Sequence, residues 1–183
     1  GILTRVGARL AMLPIAPHLG KMLLTAADLN CVDDIATVVS MASGEDLWLR
    51  PKKEQAKADS AHAKFLLREG DHPTLVNVFK CWIQSHKSKL WCQHNYLSVR
   101  TLETAYNVRL QLLRTLANMK IQCSSCGRNW MTINRAVASG LFMNAAKREQ
   151  QAMDNSFMNS GNGSGQSVPV YKTLTFGNIA YLH

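Results

Sequence analysis

The sequence predicts a mainly α chain, a bundle of helices with a short β extension at its C-terminal end. Three observations carry that expectation. Apolar residues recur at three- and four-residue spacing in successive segments between residues 18 and 146, the period of a helix that buries one face. Residues 153–167 are dominated by Asn, Ser and Gly, a composition that cannot build a core and reads as a flexible linker. After it, residues 168–183 alternate like two short strands, with Phe176-Gly177-Asn178 as their turn. The organisation that follows is an entry segment at residues 1–17, a helical domain at 18–150, a linker at 151–167 and the β extension at 168–183.

The elements can be justified in order. Pro14 and Pro17 fix φ and remove backbone donors, so the entry segment is expected to cross irregularly into the first helix. Residues 18–28 put Leu19, Met22, Leu23 and Ala26 on one stripe, and residues 31–41 carry Ile35, Val38, Val39 and Met41. Asn30 is the expected hinge between them. Residues 47–51 form a turn ending in Arg50-Pro51, and the charged run 52–68 is expected as a solvated helix touching the core through Ala56, Ala63, Phe65 and Leu66. Pro73 suits the first turn of the next helix, where its missing N–H costs nothing. Residues 95–119 give the longest helical pattern, with Val99, Leu102, Tyr106, Leu110, Leu113 and Ala117 in register, and residues 134–146 give a further helix.

Composition narrows the class. Hydrophobic residues make up 46% of the 183 and charged residues 18%, which suits a folded core. Lys and Arg number 21 against 12 acids, for a formal charge of +9, and such an excess favours a polyanionic partner. The charge is uneven. Residues 1–46 hold three cations against five acids, whereas residues 100–149 hold eight against two. Five cysteines without a regular framework fit a reducing compartment. No apolar run reaches the roughly 20 residues a membrane helix needs. The first Gly in place of Met points to a fragment, and the acid-free start with Arg5 and Arg9 fits a mitochondrial leader only superficially, because the prolines interrupt it.

Several apparent chemical motifs dissolve on inspection. Gly20-Lys21 lacks the flanking Gly and the Ser or Thr of a phosphate loop, and Gly161, Gly163 and Gly165 neither follow a strand nor open a helix. Cys123 and Cys126 form a lone CxxC with no second pair to complete a zinc site, and read as two thiols in a surface loop. Asp71-His72 precedes a helix without any nucleophile elbow, so the Asp carboxylate is expected to cap that helix. Trp48, Trp82, Trp91 and Trp130 could stack on bases; Trp82 and Trp91 lie in apolar helical context and are expected in the core.

The helix over residues 95–119 makes a geometric point. At about 100° per residue, Arg100, Glu103, Asn107, Gln111 and Arg114 share a polar face, while Arg109 points to the opposite, apolar side. A guanidinium there must find an acid or a phosphate, because burying it unpaired costs several kcal/mol. Asp71 and Asp59 are the candidate acids, and a seat beside bound nucleic acid is the alternative.

One stretch carries more information than any other. Gly70-Asp71-His72-Pro73-Thr74-Leu75-Val76-Asn77-Val78-Phe79-Lys80-Cys81-Trp82, followed by Trp91-Cys92 and Arg100-Thr101-Leu102, resembles the helicase-associated region of DEAH-box RNA helicases. In that family Gly-Asp-His precedes a Thr-Leu-Leu-Asn-Val-Tyr helix and a Trp-Cys pair; Pro73 departs from the usual Leu or Ile. Leu3-Thr4-x-x-Gly7 and Leu13-Pro14-Ile15-x-Pro17 are similar to the end of its winged-helix domain, Arg50-Pro51 to its apolar-x-Arg-Pro turn, and Ala136-x-Ala138-Ser139-Gly140-Leu141-Phe142-Met143 with Ala146-Lys147-Arg148 to its exit toward an OB-fold. Tyr171-x-Thr173-Leu174 and Tyr181-Leu182-His183 resemble that OB-fold's first strands, leaving it incomplete within this chain.

The resemblance implies a function. In that family a ratchet-like helical domain packs against two RecA-like motor domains and helps enclose single-stranded RNA, which ATP-driven movement passes typically 3′ to 5′. This chain would be the accessory module, without catalytic residues of its own, with ATP and Mg2+ used by the motor of the parent protein. Arg100, Arg109, Arg114, Arg128, Arg135, Lys147 and Arg148 are the candidate RNA-contacting residues, and Gly70, Asp71, His72, Trp82, Trp91, Arg50 and Pro51 the family's structural motif. Implied partners are single-stranded RNA, the motor domains, and a G-patch activator or ribonucleoprotein components; a membrane is not among them. Implied location is intracellular and nuclear, in splicing or ribosome assembly. The alternative is a helicase-derived scaffold inside a large ribonucleoprotein.

Overall fold

The computed structural model describes residues 2–42, 44–148, 170–175 and 177–181. The stretch expected as a linker, residues 151–167, and Phe176 of the expected turn lie outside them. The described residues are mainly helical, with a small antiparallel sheet toward the C-terminus. The chain divides into two compact units, Gly1–Gly140 and Leu141–His183.

The first unit is built around one helix. α2 (Pro17–Asp28) opens with Pro at its first position, and Asn30, at φ +54, turns the chain back into α3 (Val32–Ala42). The sequence of α3 is apolar almost all round, and Val32 and every residue from 34 to 41 are buried. Such a helix needs neighbours on all sides, and α2, α5 and α7 supply them. Its hydroxyls are satisfied within the helix: Thr37 Oγ1 donates to the Asp33 carbonyl at 3.0 Å and Ser40 Oγ to the Thr37 carbonyl at 2.9 Å. α1 (Arg5–Ala11) precedes this core, capped by Thr4, and buries no residue.

α4 (Gln55–Ala63) touches the core through Ala58 and Ala61, not through Ala56 and Ala63 as expected; Phe65 is buried but Leu66 is exposed. The reason is register, since the helix starts at Gln55 and its weakly apolar sequence leaves the inward face to be chosen by tertiary contacts. Those contacts are specific. Arg50 pairs with Asp59 at 2.7 Å, His62 Nε2 lies 3.0 Å from the Tyr96 carbonyl, and its ring meets Trp48 edge-on at 4.6 Å. Beside them Leu49 N–H donates to the Tyr96 carbonyl and Ser98 N–H to the Leu47 carbonyl, both at 2.9 Å.

α5 (Asp71–Gln84) begins at Gly70, whose φ of +114 favours glycine. Asp71 sits in the first turn without accepting a capping hydrogen bond, which corrects the expectation that its carboxylate is the cap. No side chain caps α5; the Thr74 hydroxyl instead ties the preceding loop to the helix start, accepting from the Leu67 N–H at 3.0 Å and donating to the Gly70 carbonyl at 2.8 Å. Pro73 lies in the first turn as expected, and it is buried. α6 (Lys89–His94) is capped by Ser88, and α7 (Val99–Asn118) by Ser98, whose Oγ accepts from the Thr101 N–H at 3.2 Å.

α8 (Trp130–Leu141) starts earlier and ends sooner than the expected 134–146. It ends where Gly140 meets α2. A Cβ at Gly140 would lie 2.3 Å from the His18 carbonyl oxygen and 2.6 Å from Met22 Cγ. The second unit follows: a 3₁₀ turn (Phe142–Asn144), then β1 (Ala146–Arg148), β2 (Val170–Thr173) and β3 (Ile179–Tyr181) in a sheet of that order, antiparallel throughout. The two expected strands are present; the end of the expected helix is the 3₁₀ turn, and a third strand begins at Ala146, its last residue. Alternation over three residues is too short to register against a helical period.

Candidate nucleic-acid interface

Two adjacent acids at the head of α3 organise the polar interior. Asp34 has no solvent exposure, although the rule for a buried carboxylate is that it must be paired and hydrogen-bonded. It meets that demand. Lys80 Nζ donates to it at 2.7 Å, Ser125 Oγ at 3.0 Å, the Cys126 N–H at 2.9 Å and the Cys126 thiol at 3.3 Å. Asp33 receives the Arg109 guanidinium, whose Nε also donates to Thr37 Oγ1 at 3.0 Å. The Cys123 thiol donates to the same Asp33 carboxylate at 3.5 Å, and the Asp33 N–H to the Ser124 carbonyl at 2.8 Å. Both acids lie in the first turn, where the helix dipole favours negative charge.

The predicted inward turn of Arg109 is therefore present, but its acid is Asp33, not Asp71 or Asp59. Asp59 is occupied by Arg50, and Asp71 stands at the start of α5. The loop between α7 and α8, holding Cys123 and Cys126, is clamped onto α3 through these contacts. Burial first, then neighbouring Asp34, pushes the Cys126 thiol up to about 11, and burial pushes Cys31 up to about 12. Both are held as thiols at neutral pH, poor nucleophiles. Among the described residues no three His, Cys, Asp or Glu side chains are placed to hold a metal ion, and no helix is long and apolar enough to cross a membrane.

Lys80 and the two aspartates are what sequence reasoning missed. Asp33-Asp34 heading an apolar helix was the available signal, since an acid buried by such a helix requires a cation from elsewhere. Nothing local in the sequence says which lysine provides it.

The remaining candidates divide into three groups. On α7, the side chains at Arg100, Glu103, Asn107, Gln111 and Arg114 are all exposed, as the helical wheel predicts. Arg100 and Arg114 lie about four turns apart along that face. Arg100 approaches Glu45 at 3.6 Å with both groups well exposed, an arrangement worth little. Arg128, in the loop ahead of α8, and Arg135, on α8, are exposed as well. Among the described residues Arg114, Arg128 and Arg135 form no ion pair.

Lys147 and Arg148 belong to the second unit, in β1, where all three residues are exposed. Neighbours along a strand face opposite sides of a sheet, so these two do not form one patch. Lys147 stands directly across from Lys172 in the β1–β2 register.

The tryptophans sort as expected for the two in apolar context. Trp82 is 1% exposed, and Trp91 is half-buried with Phe65 at 5.6 Å. Trp48 packs on His62, and Trp130 lies 5.9 Å from Lys80 Nζ.

Comparison with known proteins agrees with this layout. Residues 16–75 match the model of the helicase associated domain (HA2), ratchet-like. Over 149 residues the chain is 38% identical to the pre-mRNA-splicing factor ATP-dependent RNA helicase prp22 of Schizosaccharomyces pombe. That match covers 81% of this chain and 13% of the relative.

Proposed function

Because the chain carries the ratchet-like helicase-associated region of the DEAH-box RNA helicases, we propose that it holds single-stranded RNA for a motor located elsewhere in the same protein. The observation that carries this reading is the set of exposed guanidinium groups on the helical unit, Arg114, Arg128 and Arg135, without acidic partners among the described residues while Arg109 and Lys80 are neutralised inside. Arg109 and Lys80 are spent on the fold, whereas Arg114, Arg128 and Arg135, which form no ion pair among the described residues, remain available to phosphates. Contacts of this kind position a strand without reading its sequence.

The rest of the activity belongs to the parent protein. Gly20-Lys21 lies inside α2, where Gly20 is buried, so it forms no loop able to cradle phosphates. ATP and Mg2+ are therefore assigned to the motor domains, which would drive translocation 3′ to 5′. The name of the relative supports pre-mRNA splicing over ribosome assembly, and with it a nuclear location; ribonucleoprotein components and a G-patch activator are partners this reading proposes. Lys147 and Arg148, exposed on opposite faces of β1, would each offer a separate contact to the RNA on the second unit.

The test is the salt dependence of single-stranded RNA binding by the complete protein. Each phosphate contact lowers the slope of log affinity against log salt by about 0.7. Reversal of Arg114, Arg128 and Arg135 to Glu is expected to weaken binding and flatten that slope by about 2. Unchanged affinity and slope would overturn the gripping role and leave the scaffold reading in its place.

A further inference from the structure

Between α3, α5 and α7 lies a cleft of about 310 Å³ whose walls combine aromatic, cationic and hydrogen-bonding groups. Phe79 and Tyr106 form its apolar side, backed by Trp82 at ring distances of 5.7 and 6.2 Å. Ile83 and Gln84 line it from α5, and Arg109 from α7. Lys87 Nζ stands 3.5 Å from the centre of the Tyr106 ring, held there by an unusual turn in which His86 and Lys87 both have φ near +57. That turn ends α5, with the His86 N–H on the Ile83 carbonyl and the Lys87 N–H on the Trp82 carbonyl, both at 3.0 Å.

We infer that this cleft takes one unstacked nucleobase of a bound single strand, seated on Tyr106, with Lys87 moving off the ring to meet the adjoining phosphate. The inference rests on the RNA-holding reading and names a contact that reading leaves open. An aromatic face, a hydrogen-bonding side chain at Gln84 and a cation beside the ring are what a flipped-out base requires. Lys87 is exposed on a flexible stem, and an exposed cation–π contact is weaker than a base stacked on an aromatic ring. The exchange therefore runs toward the base. Arg109 and Lys80 stay with their aspartates, so the inner walls keep their shape when the ligand enters.

The experiment measures binding of a single-stranded oligouridine to the complete protein by fluorescence anisotropy, with photo-cross-linking from 4-thiouridine to locate the contact. Gln84→Glu places a carboxylate at the cleft without touching the core, and Gln93→Glu adds the same charge at an exposed site on α6. The first is expected to weaken binding about tenfold and the second by less than twofold. Tyr106→Leu is expected to lose the cross-link while Tyr106→Phe keeps it, a contrast that a folding defect in the Leu variant cannot produce in Gln84→Glu. If both glutamine variants bind alike and cross-links fall outside α5 and α7 while reversal of Arg114, Arg128 and Arg135 still weakens binding, the cleft is overturned and the gripping reading survives. If that reversal also changes nothing, both fall.

Discussion

Asp34 shows how one side chain sets the terms for several others. A carboxylate with no solvent access, holding a lysine, a hydroxyl, a backbone N–H and a thiol, is stable only as a complete set. Lys80→Met is expected to strand that charge and lower unfolding stability by on the order of 3 kcal/mol, measured by chemical denaturation. The double change Lys80→Met with Asp34→Leu should recover much of the loss, because replacing both partners removes the buried charge. A second residue-scale effect concerns pH. Burial pulls His72 below its ordinary value of 6.5, against a smaller upward pull from Asp71. The unfolded chain then binds a proton that the folded one resists, so stability is full above 6.5 and declines as pH falls through it. Denaturation midpoints at pH 7.5 and 5.5 should differ in that direction, and His72→Gln should narrow the gap.

Helices were legible where their apolar stripes were long. α2, α3 and α7 sit close to their expected bounds because α2 and α7 bury a periodic face and α3 is buried almost throughout, and Asn30 turns between the first two as its local chemistry allows. α4 was legible as a helix but not in orientation, because its alanines are spread around the wheel and the partners that orient it, Trp48 and Tyr96, are distant in sequence. The end of α8 was not legible because Leu141-Phe142-Met143 continues an apolar pattern past the point where the backbone leaves the helix. Gly140 marks that point for a reason visible only in three dimensions. Gly140→Ala should gain about 1 kcal/mol in helix propensity yet lose more to the collision with the His18 carbonyl, for a net loss of about 2 kcal/mol seen as a lower melting temperature. Ser98→Ala should cost about 1 kcal/mol through the lost cap of α7, read in the same melts.

Across the chain, charge is sorted by depth. Ions inside the helical unit are matched one to one, Lys80 with Asp34 and Arg109 with Asp33, whereas the excess cations stand outside. The overall basic character and the polar face of α7 could be read from sequence, as could the burial of Trp82. Which cations belong to the interior could not, since pairing is settled between α3, α5 and α7 over some 46 to 76 positions of chain. Surface and interior should respond differently to ionic strength. Exposed contacts weaken beyond a Debye length of about 10 Å at 0.1 M and about 3 Å at 1 M.

Asp34 is sealed from dissolved ions, and that has a practical corollary. Concentrated brine should strip adhering polyanions from the purified protein while the bundle keeps its far-ultraviolet dichroism, because chloride and sodium have no route to the carboxylate around which the helices are assembled.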